Sequence, residues 1–141
     1  MAAVKERERI DDLLWRNFRI IQNSDWFCFG LDAVLLADFA ELKPKEQVLD
    51  LCTGNGVIPL LLAAKEETAV LTGIELFPEV ADMAGRSVRL NGLERRVNII
   101  TGDVCQISNL VVAHSFSVVT VNPPYRKKEA GRLSPSPFLA A

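Results

Sequence analysis

Four short apolar runs, each ending at a glycine, an acid or an asparagine, constrain this chain more than any other feature. They occupy residues 48–51, 70–75, 97–101 and 116–121. Segments of helical length separate them: residues 57–64, residues 77–90, and a shorter one within 104–113. Strands that alternate with helices predict parallel strands joined by right-handed crossovers, an α/β fold wound around a mostly parallel sheet. Ligands on such sheets sit at the carboxyl ends of the strands, near the point where strand order reverses. The unusual residues fall there. Gly54 and Gly56 follow the first run, Glu75 ends the second, Asp103 follows the third and Asn122 follows the fourth.

Upstream of the first run the pattern differs. Residues 1–10 read as a frayed arm or a short helix. Residues 19–22 and 26–29 read as two short strands, with Asn23-Ser24-Asp25 as the turn between them. Asp32 is placed to cap a helix running to Leu42. Ala33, Leu36, Ala37 and Ala40 share one face of it, and Lys43-Pro44 ends it. Residues 1–45 are thus expected to be an arm, a hairpin and a covering helix. Residues 46–141 are expected to form the ligand-binding sheet domain.

Composition narrows the classes. A chain of 141 residues is one domain's length and can bury roughly two-thirds of its unfolded surface. A net charge of −2 gives no global basic field, so any nucleic acid would need a local patch. The three cysteines form no CxxC pair and there is one histidine, His114, which argues against a zinc site or a disulfide framework. No metal is expected. Reduced cysteines, a charged N-terminus and no apolar run near 20 residues fit a cytoplasmic protein without a membrane span.

Each motif has a functional and a plain structural reading. Asp50-Leu51-Cys52-Thr53-Gly54-Asn55-Gly56 follows a strand and opens a helix. Its glycines permit a tight turn and close approach of a ligand to the backbone, and equally mark a flexible βα loop. Glu75, nineteen residues beyond Gly56, can accept two hydrogen bonds from a ribose diol, or be a surface acid. Phe77 can stack on an adenine or belong to the core. Asp103 can accept from an adenine amino group or cap a short helix. A dinucleotide fingerprint wants glycine or alanine at position 59, where this chain has Pro59. Asp50 also suits a cationic sulfonium cofactor better than a pyrophosphate. Together these favour S-adenosylmethionine (SAM) over NAD.

Asn122-Pro123-Pro124-Tyr125 is the most specific sequence. Two prolines after an apolar strand lock the backbone and free its carbonyls. The Asn122 side-chain oxygen and a proline carbonyl can then accept hydrogen bonds from one planar NH2 group, while Tyr125 offers a stacking face. The plain alternative is a rigid turn. Arg126-Lys127-Lys128 and Arg132 form a small basic cluster beside it, suited to phosphates or to solvent.

The chain resembles the bacterial tRNA (adenine-N6) methyltransferases that modify valine tRNA, within the small-domain methyltransferase group. The resemblance runs from about Leu13 to Pro137. It rests on Ile21-Gln22, on the stretch from Phe29 to Ala37, on the stretch from Asp50 to Leu62, on Gly73-Ile74-Glu75 and on Asn122 to Tyr125. It implies a Rossmann-like class I SAM methyltransferase fold and methyl transfer to an exocyclic amine, N6 of adenine in tRNA. Cofactor binding would fall to Asp50, Gly54, Gly56, Glu75, Phe77, Asp103 and Asn122. The acceptor would be presented by Asn122, Pro123, Pro124 and Tyr125. Members carry seven strands and a longer chain, so the resemblance implies about four of the seven strands here. A protein glutamine-amide methyltransferase and a SAM-binding remnant without catalysis remain the alternatives.

Overall fold

The computed structural model describes residues 4–26 and 28–124. Elements follow in chain order: strands β1 (Glu8–Asp12) and β2 (Arg19–Asn23), helix α1 (Leu31–Phe39), β3 (Gln47–Leu51), α2 (Val57–Lys65), β4 (Val70–Glu75), α3 (Pro78–Leu90), β5 (Val97–Thr101), a 3-10 turn (Val104–Gln106), α4 (Ile107–Leu110) and β6 (Val118–Val121).

Four strands form one parallel sheet in the order β5-β4-β3-β6. The chain steps outward from β3 to β5, then returns to the far side of β3. Strand order therefore reverses between β3 and β6, as in the first half of a Rossmann-type sheet. Val48, Leu71, Val97 and Val118 lie in register across all four strands. They join one cluster with Ala33 and Ala37 of α1, most of α2 and Val88 of α3. Three helices thus cover one face. Residues 57–64 are all buried, which explains a helix apolar on every side: the sheet takes one flank and α1 another. On the opposite face Val119 and Val121 stay half exposed.

The strands and helices of the sheet follow the expected spans closely. The N-terminal region does not. Residues 8–12, the first three of them expected in an arm or short helix, form β1, antiparallel to β2. The reason lies in tertiary pairing. Glu8 forms a two-pronged ion pair with Arg86 of α3 at 2.6 Å, their side chains 1% and 7% exposed. Among the described residues the second strand expected at 26–29 does not form. Trp26 lies in a turn, Cys28 and Phe29 are irregular, and Phe27 lies outside the described residues. Helix α1 also begins and ends differently. Gly30, not Asp32, is its N-cap. It stops at Ala40 because the Lys65 ammonium takes the carbonyls of Ala37, Asp38 and Ala40, satisfying the helix end.

Candidate active site

A cavity of about 560 Å³ opens at the carboxyl ends of the four parallel strands. That volume is ordinary for a small-molecule site. Its wall is assembled from every strand end: Cys52 and Gly54 after β3, Glu75 and Phe77 after β4, Gly102 and Asp103 after β5, and Asn122, Pro123 and Pro124 after β6. Trp26, Cys28, Gly30 and Asp32 close it from the N-terminal side.

The loop between β3 and α2 is held from three directions. Its backbone enters the left-handed region at Cys52 (φ 57), Gly54 (φ 58) and Gly56 (φ 83). Gly56 has a second constraint, because a Cβ there would sit 3.2 Å from the Ala84 Cβ. From below, Thr53 and Thr120 donate from their hydroxyls to the two oxygens of Asp50, each at 2.6 Å. From the side, the Gly54 amide donates to Glu75 Oε2 at 2.8 Å. From the hairpin, Gln22 Oε1 accepts from Asn55 Nδ2 at 3.1 Å and from the Phe29 amide at 3.0 Å. Gln22 is in turn held by Asp11, which also pairs with Arg9.

Glu75 is buried at the end of β4 and accepts from the backbone amides of Gly54 and Phe77 among others. Desolvation pushes its carboxyl up, against the pull of backbone donors from Phe77, Gly54 and Leu76. A carboxylate oxygen can accept more than one hydrogen bond, so further donors from a ligand would relieve that cost. Asp103 lines the cavity and also caps the 3-10 turn, accepting from the Cys105 amide at 2.9 Å. The capping role is thus occupied, and the residue also stands in the cavity wall. Phe77 likewise lines the cavity while packing on the cluster of Ile21, Val80 and Met83.

Not every expected residue reaches the cavity. Gly54, Glu75, Phe77, Asp103, Asn122, Pro123 and Pro124 do. Asp50 and Gly56 do not line it. Asp50 is 1% exposed and stands behind the loop. Burial raises its carboxyl to about 6, against the two threonine hydroxyls, with the nearby Glu75 charge adding to the rise. Gly56 serves the turn and the contact with α3. Tyr125 and the basic cluster at 126–132 lie outside the described residues. The sequence reading missed Gln22, Asn55 and Thr120, whose roles exist only once distant elements meet. Among the described residues no cluster could hold a metal ion, and no helix is long and apolar enough to cross a membrane.

Comparison with known proteins gives the same fold and a family. A crystal structure of TYW2 from P. horikoshii in complex with MeSAdo superposes with a TM-score of 0.60 at 21% identity, covering 72% of this chain and 38% of that one. A SAM-dependent methyltransferase from Thiobacillus denitrificans, solved with S-adenosyl-L-homocysteine, gives 0.54 at 23% identity over 70% and 37%. Among curated relatives, the tRNA1(Val) (adenine(37)-N6)-methyltransferase of Haemophilus influenzae (strain PittEE) is 30% identical over 112 residues, 79% of this chain and 48% of that protein. The chain spans about half the length of the curated relatives it matches. The fold is thus that of the class I SAM methyltransferases, represented by four parallel strands among the described residues. The methyltransferase small domain model matches residues 29–135, three-quarters of the sequence and all four of those strands, and the chain belongs to that family.

Proposed function

We propose that this chain binds SAM and transfers its methyl group to an exocyclic amine, N6 of an adenine in tRNA. One observation carries the reading. A single cavity collects Gly54, Glu75, Phe77 and Asp103 from three strand ends and Asn122-Pro123-Pro124 from the fourth. The residues fit the cofactor's chemistry. The buried Glu75 carboxylate suits a ribose diol, Phe77 offers an apolar face to adenine, and the Asp103 carboxylate suits the adenine amino group. The Gly54 turn lets the backbone approach closely.

When bound, SAM supplies an electrophilic methyl group on a sulfonium. The protein then needs no strong base, and its work is positioning. Well-oriented partners gain on the order of 7–11 kcal/mol from placement alone. The Asn122 side-chain oxygen and the Pro123 carbonyl would accept both hydrogens of the target NH2. That fixes its direction and stabilises positive charge growing on nitrogen. The tRNA reading is supported by the activity for which the relatives are named and by the sequence resemblance, and it implies a cytoplasmic protein.

Calorimetry with SAM, followed by transfer of tritiated methyl to valine tRNA transcribed in vitro, tests the proposal. Saturable binding with label on adenine N6 is the expected result. Binding without transfer to RNA would reduce the reading to a cofactor-binding domain. No binding at millimolar SAM would remove it.

A further inference from the structure

We infer that Asp32, on α1, is the positioning residue for the Asn122 carboxamide, fixing which of its two ends is offered to an acceptor amine. The inference rests on the methyl-transfer reading above and names a residue outside the set expected from the sequence. Asn122 Nδ2 donates to Asp32 Oδ2 at 2.9 Å, across ninety positions of sequence. Both residues line the same cavity. A carboxylate only accepts hydrogen bonds. It must therefore face the amide nitrogen, and this turns Oδ1 the other way. An amide offering nitrogen to an NH2 group would meet it donor to donor. Only the orientation that Asp32 selects can accept from it.

Two features show that α1 is arranged for this contact. Asp32 stands in the first helical turn, where an acid suits the helix dipole, and its side chain reaches across to Asn122. Gly30, the N-cap, leaves the room that the carboxylate uses: a Cβ there would come 2.9 Å from Asp32 Oδ1. The helix itself is fixed behind by Ala33 and Ala37 in the core and by Lys65 on its last carbonyls. Asp32 thus transmits the position of a rigid element to a residue just past a strand end.

The experiment compares Asp32→Ala and Asp32→Asn with the wild-type full chain. Asparagine keeps an oxygen that accepts from Asn122 Nδ2, whereas alanine keeps none. Expected is a fall in kcat of about tenfold or more for Asp32→Ala, with SAM affinity by calorimetry within about twofold of wild type and an unchanged melting midpoint. Asp32→Asn should recover most of the loss. In 15N-labelled protein, the Asn122 side-chain NH2 signals, assigned by their disappearance in Asn122→Asp, should shift and exchange faster in Asp32→Ala. Wild-type kcat in Asp32→Ala, equal loss in both variants, or an unmoved Asn122 signal would overturn the assignment. If the wild-type chain transfers no methyl group, the functional reading fails, and the Asn122 signals alone decide whether Asp32 holds the amide.

Discussion

Asp50 shows how far a side chain's place in the fold can lie from its place in a motif. The sequence puts an acid just ahead of the glycines, where contact with a cofactor is the natural expectation. The structure puts it beneath the loop, joined to β6 through Thr120 and to the loop through Thr53. Its contribution to stability should depend on pH. The folded state raises the carboxyl from 3.8 to about 6, so the folded protein binds this proton more tightly than the unfolded chain does. The resulting stabilisation is fully present below pH 3.8 and is lost as pH rises through about 6. A shift of this size corresponds to about 3 kcal/mol. Asp50→Asn is neutral throughout and should gain on the wild type by that order between pH 4 and pH 7, measured by urea denaturation. The lowered carboxyls of Glu8 and Asp82 impose the opposite slope on both proteins and cancel in the difference. Parallel stability curves would remove Asp50 as the source. Glu75, by contrast, stands in the cavity wall itself. Glu75→Ala should weaken SAM binding at least tenfold, and unchanged affinity by calorimetry would exclude it from the site.

Among the elements, the parallel sheet was legible and the hairpin was not. The strands and helices from β3 to β6 carry their signals locally, as apolar runs, glycines and caps. They appear where those signals put them, to within two residues. β1 has no such signal. Arg9 and Asp11 alternate with Ile10, which is itself 38% exposed, so no apolar face marks a strand. What makes it one is the partner on α3. The Glu8–Arg86 pair is supported by Asp82, which also accepts from Arg86 at 2.9 Å, and the Ile21 amide donates to Ser87 Oγ at 2.9 Å. The same limit hid part of the site. Gln22 reads as an ordinary strand residue until the fold brings it to Asn55. Removing one member of a buried ion pair leaves an uncompensated charge, at a cost of about 3–5 kcal/mol. Arg86→Ala should destabilise the protein by that order. It should also weaken SAM binding although Arg86 does not line the cavity, because the hairpin holds the loop through Gln22. A variant that loses stability but keeps full affinity for SAM would show that the loop is held without the hairpin.

At the scale of the whole molecule, the cavity joins parts of the chain that the sequence divides. Trp26, Cys28, Gly30 and Asp32 face strand ends that begin twenty residues later, and β2 contributes Ile20 to one apolar cluster and Ile21 to the other. A ligand seated there contacts both the N-terminal segment and the sheet, so its binding energy should stabilise them together. A ligand that binds only the folded state, present at 100 times its Kd, adds about 2.7 kcal/mol. For a chain of this length that corresponds to an upward shift of about 10 °C in melting midpoint. Trp26 lies in the cavity wall and reports locally once Trp15, 39% exposed, is replaced by phenylalanine. Far-ultraviolet circular dichroism reports the sheet and helices. With SAM added, the two signals should move to the higher midpoint in a single shared transition. A Trp26 transition that stays below the circular dichroism midpoint would mean that the N-terminal segment opens separately. The cavity would then be closed only on the sheet side, and the contact from Asp32 to Asn122 would be made and broken without unfolding the rest.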